Sequence, residues 1–191
     1  MRKILLSKIR SAMVYLETGV KFASIEACCN IGVQKNAAKI GRNVRVGFAS
    51  RINTIQKYKK QSFSPCLVIG DDVSIGWMNH ISCINEIRIG NGVLFGSKVY
   101  VGDHSHGNYD WNNMTTQYLE TLPSERLLGN SKLVVIGDNC WIGDNVVILS
   151  GANIGRGCII AANSVVGAGD YPEYSLLAGV KAKVIRQIKK L

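Results

Sequence analysis

From Ile136 onward an aliphatic residue returns at every sixth position: Ile136, Ile142, Ile148, Ile154, Ile160 and Val166. Glycine follows it at Gly137, Gly143, Gly155 and Gly167, and a small or β-branched residue stands four places on, at Cys140, Val146, Ala152, Cys158 and Ser164. A period of six is neither the 3.6 of a helix nor the 2 of a half-buried strand. It suits a short strand and a corner, repeated, with three units closing one triangular coil. The aliphatic residue then points inward and stacks on its equivalent one coil away. Glycine is expected at the corner, where a Cβ resists a sharp turn. Stacked coils bury a continuous core that no single repeat could bury alone.

The same period runs through Ile69, Ile75, Ile81 and Ile87; two residues are then inserted, and Ile89, Phe95 and Val101 continue it. A weaker start reads Ile40, Val46, Ile52. The 191 residues suffice for one domain with a real core, and 47% hydrophobic and 19% charged residues exclude a disordered chain. The net charge is +10. No dense Lys/Arg block with interleaved aromatics occurs, so nucleic acid is not an expected partner. Among the six cysteines no CxxC pair occurs, and Cys140 and Cys158 fall one coil apart as small stacking residues. With no signal-peptide pattern and no apolar run of spanning length, the expected setting is cytoplasmic and reducing.

The pattern resembles the hexapeptide-repeat, left-handed parallel β-helix family over Ile40 to Val166. The left-handed crossover is implied by the resemblance, as an exception to the usual connection rule. The expected fold is all-β: a β-helix over 36–170, a helical cap over 1–35 and a short helical tail over 171–191. Two loop insertions, 53–67 and 102–133, interrupt the β-helix. In the cap, Ile4, Leu5, Ile9, Met13 and Leu16 share roughly one helical face, and Arg2, Lys3, Lys8 and Arg10 crowd its start. Such a helix closes the open end of the stack or rests on an anionic membrane surface.

The second insertion opens with "DHSHG", which holds His104 and His106, two of only three histidines. An interruption this long in a compact solenoid, with Tyr109, Trp111, Tyr118 and Leu119, is expected to be an arm that folds over a neighbouring subunit and walls a cleft. Three segments narrow the resemblance: "VLFGSKVYVGDHSHG", "VVIGDNCWIGDNVVILSGANIG" and the tail "AGVKAKVIRQIKKL". Together they are similar to acetyl-CoA-dependent O-acetyltransferases of bacterial surface-polysaccharide (lipopolysaccharide or capsule) biosynthesis, in the subgroup with a D-H-x-H-G motif. In the tail Lys181 stands where that family has proline.

The resemblance implies a homotrimer, direct acetyl transfer to a sugar hydroxyl and no metal. It needs one imidazole as general base, because histidine titrates near working pH. Counted from Val101, His106 falls at the offset of the family's base; His104 is the alternative, and Asp103 a candidate to orient the ring. Carried over residue by residue, Trp141, Gly143, Ala161, Ala162, Lys183 and Arg186 are candidates for acetyl-CoA, the last two for its phosphates. Asn79, His80 and Asn85 are candidates for the acceptor pocket. The alternatives are N-acetyl transfer to an amino sugar and a non-catalytic binding solenoid. A zinc hydratase on this fold needs three histidines, and the spacing of His80, His104 and His106 does not match that class.

Overall fold

The structure, a computed structural model, describes residues 2–188. The chain opens with α1 (Arg2–Thr18) and then winds into a prism with three parallel faces. The first face stacks Ser24–Ile25, Arg45–Val46, Ser74–Ile75, Leu94–Phe95, Trp141–Ile142, Ile159–Ile160 and Ser175–Ala178. The second stacks Asn30–Gly32, Arg51–Thr54, His80–Cys83, Tyr100–Gly102, Val147–Ile148 and Val165–Val166. The third stacks Ala38–Ile40, Cys66–Ile69, Glu86–Ile89, Val134–Ile136, Ala152–Ile154 and Gly169–Tyr171. The chain visits the faces in that order, once per coil.

The hexad register explains the core. On the second face Ile52, Ile81, Val101, Ile148 and Val166 pair in register and are all buried. Ile69, Ile89, Ile136 and Ile154 do the same on the third, and Ile75, Phe95, Ile142 and Ile160 on the first. Cys140 and Cys158 are buried within this stack.

The hexad glycines serve a different purpose from the one the period suggests. A Cβ on Gly143 would lie 2.6 Å from the Ala162 nitrogen, and one on Gly137 would lie 2.5 Å from that of Arg156. They are small because the next coil passes against them. The left-handed conformation of the corner falls two residues later, on Asn139 and Asn145, a side chain that tolerates it.

Two boundaries and the nature of the tail differ from expectation. The β-helix starts before residue 36: Ile25 and Ile31 already pair in register with Val46 and Ile52. Only two hexad members precede the break at Gln34–Lys35, too few to show a period. At the other end the coil continues to Ser175–Ala178, past residue 170. The tail is not helical. Lys183–Gln187 is a strand, antiparallel to Ser175–Ala178. The last coil leaves a free backbone edge there, and the β-branched Val184 and Ile185 favour the extended chain that satisfies it. Residues 189–191 of the expected tail lie outside the described residues.

The interruptions are also more ordered and better localised. Asn53 and Thr54 end one coil strand and Cys66 and Leu67 begin the next, so only a hairpin, Lys57–Tyr58 with Gln61–Ser62, projects between them. In the arm, Ser105–His106 pairs antiparallel with Leu128–Gly129. The arm also holds α2 (Thr116–Glu120), whose N-cap Thr115 accepts from the Tyr118 amide. The two-residue slip falls before Ile87, not after it, because Ile87 and Ile89 pair with Leu67 and Ile69. The extra residues are therefore at Ile84–Asn85. All three departures lie on one edge of the prism, where the second face passes into the third.

Candidate functional site

That edge assembles Asp103 and His104. Asp103 directly follows the strand Tyr100–Gly102 and is 0% exposed. Its carboxylate accepts the Ile84 amide at 3.0 and 3.2 Å and the Asn85 amide at 2.7 Å. The two-residue extension of one coil thus supplies donors to a carboxylate in the next. Asp103 Oδ1 also lies 2.9 Å from His104 Nδ1, and the His104 side chain is 8% exposed. Burial by itself would raise the Asp103 pKa. The His104 contact and the two amides outweigh it and hold the carboxyl below its ordinary value.

A carboxylate facing Nδ1 selects the tautomer in which Nδ1–H donates, leaving a lone pair on Nε2. Among the described residues no protein group bonds that Nε2. This is the arrangement of a general base with its orienting acid.

His106 is placed differently. It is exposed, and its Nδ1 lies 3.4 Å from the Tyr58 hydroxyl, with the two rings edge to face at 5.5 Å. The Tyr58 hydroxyl donates to the Ser124 carbonyl at 3.1 Å. Among the described residues no carboxylate orients His106. The offset from Val101 favours His106, but the geometry gives the oriented ring to His104. The offset does not register that Asp103 is turned inward, which places its partner one residue later.

Of the acceptor-pocket candidates, His80 and Asn85 lie on this side of the prism. His80 faces outward on the second face, its ring 5.4 Å from that of Tyr100. Burial, then the charges of Arg51 and His104, push its pKa down, which favours the neutral ring. The Asn85 side chain is exposed on the edge. Asn79 is a correction. It is buried at the edge between the first and second faces, where its Nδ2 donates to the Gly96 carbonyl at 2.9 Å and its Oδ1 accepts the Val99 amide at 2.7 Å. It holds a corner together and has neither end left for a ligand.

The acetyl-CoA candidates lie on or beside the first face. Leu94, Trp141, Ile159, Leu176 and Arg186 stand in one column in register, and Trp141 is 53% exposed. An apolar strip thus leads from an indole to a guanidinium. Lys183 is exposed on the same terminal strand. Gly143 and Ala161 have spent their amides on the Ile160 and Leu177 carbonyls, both at 2.9 Å, so neither N–H is a donor to a ligand. Ala162 is exposed beside them.

Three contributors escaped sequence reasoning. Arg126 is buried in the arm, donating to the carbonyls of Leu119 at 2.7 Å and Thr121 at 2.9 Å and to the Tyr109 hydroxyl at 3.0 Å. Gln61 clamps the arm to the first insertion: it donates to the Leu128 carbonyl at 2.9 Å and accepts the Leu128 amide at 2.8 Å. Tyr58 joins the same two segments. Nothing in "KYKKQ" marks these residues, because their partners lie far along the chain. The arm docks on this chain's own hairpin. Gln61→Ala is expected to cost about 1–2 kcal/mol of that docking, seen as faster limited proteolysis within the arm; an unchanged cleavage rate would contradict the clamp.

Residues 133–168 match the family described as bacterial transferase hexapeptide (six repeats). The match covers the part of the stack where the six-residue period is most regular. Among relatives of the repeat protein is WbbJ of Escherichia coli, named for lipopolysaccharide biosynthesis O-acetyl transfer. It is 36% identical over 121 residues, 63% of this chain and 60% of WbbJ. A protein of Mycobacterium tuberculosis, named an acetyltransferase, is 32% identical over 178 residues, 93% of this chain and 51% of its own length. The repeat protein therefore spans 60% and 51% of these curated relatives.

Among solved structures, a mutant of the N-acyltransferase AntD from Bacillus cereus, in complex with dTDP-4-amino-4,6-dideoxyglucose and coenzyme A, superposes with a TM-score of 0.64 at 16% identity, covering 95% of this chain and 90% of AntD. A maltose O-acetyltransferase from Clostridium difficile gives 0.55 at 22%, covering 96% and 76%. These likenesses establish the fold class of this chain, the left-handed β-helix.

Proposed function

We propose that this chain is an acetyl-CoA-dependent O-acetyltransferase acting on a sugar hydroxyl in surface-polysaccharide biosynthesis. The observation that carries the reading is the buried Asp103 carboxylate 2.9 Å from Nδ1 of His104, which leaves Nε2 as the base. The names of the two sequence relatives support the reaction class, and that of WbbJ supports the acceptor class.

In this reading acetyl-CoA supplies the acetyl group as a thioester. His104 Nε2 takes the proton of the sugar hydroxyl as the hydroxyl oxygen bonds to the acetyl carbon. The carbon–sulfur bond breaks, and the proton passes from Nε2 to the departing sulfur. Asp103 holds Nδ1–H throughout, stays ionised, and stabilises the transient imidazolium. His80 and Asn85 contact the sugar. The strip from Trp141 to Arg186 takes the pantetheine arm along its apolar length, and Arg186 and Lys183 meet the phosphates.

The edge bearing His104 lies opposite the first face that bears Trp141. A donor on that face therefore reaches the His104 of a neighbouring copy, which supports a homotrimer, the usual closure of a repeated heterologous contact. A cytoplasmic setting agrees with the free thiols of all six cysteines. Isothermal titration with acetyl-CoA tests the donor strip. Trp141→Ala is expected to weaken binding by roughly 5–10-fold, the share of one well-placed aromatic contact. An unchanged Kd, or no binding by the wild type, would remove the strip from the account.

A further inference from the structure

The amphipathic helix α1 is mounted the opposite way round from a core helix. A helix that closes a core turns its apolar stripe inward. Here the inward side carries Ser7, Ser11, Val14 and Thr18. Ser7 and Ser11 are buried, and the Ser11 hydroxyl bonds the carbonyl of Phe22. The Thr18 hydroxyl donates to the Val14 carbonyl at 2.7 Å and accepts the Val20 amide at 3.1 Å, which fixes the exit into the first coil. Leu5, Ile9, Met13 and Leu16 follow one another at helical spacing on the other side. All four are exposed, Leu5 at 61% and Leu16 at 83%.

The flanks of this stripe are cationic. By helical angle Lys8 borders it on one side and Lys3 and Arg10 on the other, while the only acidic residue in the helix, Glu17, lies in its last turn. Long basic side chains so placed can run their stems along the apolar stripe and keep their charges at the level of a lipid headgroup. Among the described residues no helix is long and apolar enough to cross a membrane.

We propose that α1 docks this protein on an anionic lipid surface, with Leu5, Ile9, Met13 and Leu16 entering the acyl boundary and Lys3, Lys8 and Arg10 meeting the phosphates. The charge selects this occupant over a second copy. Two such helices packed stripe to stripe would bring like cations together, whereas an anionic surface neutralises them. The inference rests on α1 alone and is independent of the acetyl-transfer reading.

The test is flotation of the full chain with phosphatidylcholine vesicles, with and without phosphatidylglycerol. The protein is expected to float only with the anionic vesicles and to be released as salt rises. Ile9→Glu/Leu16→Glu is expected to lower the bound fraction by about tenfold or more. Both positions are exposed, so the variant should keep its circular dichroism spectrum and oligomeric state. Absence of wild-type binding to anionic vesicles overturns the proposal, as does binding that the double variant leaves unchanged. Dissociation of an oligomer by the double variant, with no wild-type vesicle binding, would assign the stripe to a second copy instead.

Discussion

His104→Ala is expected to lower kcat for acetyl transfer by roughly 10²–10⁴-fold, the range for loss of a positioned general base, with little change in the Kd for acetyl-CoA. His106→Ala is expected to stay within about tenfold of the wild type, because its exposed ring packs on that of Tyr58, on the first hairpin, and among the described residues no carboxylate orients it. The comparison is made by steady-state kinetics on one acceptor. It separates the two histidines that the motif presents as near equivalents. Equal losses in both variants would mean that the arm closes on the acceptor with both rings in the chemistry.

The second large effect is at Asp103, which has two tasks. Asp103→Ala leaves the Ile84 and Asn85 amides without their acceptor, at about 1–3 kcal/mol for each buried donor. A loss of about 2–6 kcal/mol in urea unfolding is therefore expected. Asp103→Asn keeps an oxygen for those amides but turns an NH₂ group toward His104 Nδ1. The ring must then accept at Nδ1 and carry its proton on Nε2, where a base is required. Turnover should fall about as far as in His104→Ala, with a smaller loss of stability.

The pH dependence follows from the depressed pKa of Asp103. The ionised carboxylate contributes its stability above the ordinary unfolded value near ~3.9. That contribution is lost as pH falls from there through the lower folded value. Acid unfolding of Asp103→Asn should lack this component. A variant that turns over normally and unfolds with the wild-type acid profile would contradict both tasks.

The fold was legible in the sequence to the extent that its core repeats. Ile136, Ile142, Ile148 and Ile154 must recur every six residues because each faces the axis and stacks on a neighbouring coil, and no other regular structure has that period. The ends were less legible. Ile25 and Ile31 make too short a run, and Val184 and Ile185 form a strand only because the last coil offers them an edge. The candidate site was legible as a location, since "DHSHG" follows Val101 where the hexads stop. Its internal assignment was not. That depended on the amides of Ile84 and Asn85, one coil away, turning Asp103 inward. Asn79 failed as a pocket residue for a related reason: a polar residue at a solenoid corner can be consumed by the backbone of adjacent turns. The partners of Arg126 and Gln61 lie across loop segments without periodicity, so no local signal could reveal them.

In the proposed reaction His104 Nε2, oriented by Asp103, takes the proton of a sugar hydroxyl as that hydroxyl accepts acetyl directly from acetyl-CoA. Its most direct test is mass spectrometry of sugars and nucleotide sugars incubated with acetyl-CoA and the intact protein, with hydroxyl-only and amino-sugar acceptors side by side. An O-acetylated product is expected with the wild type and with His106→Ala, and none above background with His104→Ala. Product formed equally by His104→Ala, or acetylation confined to the amine, would contradict it.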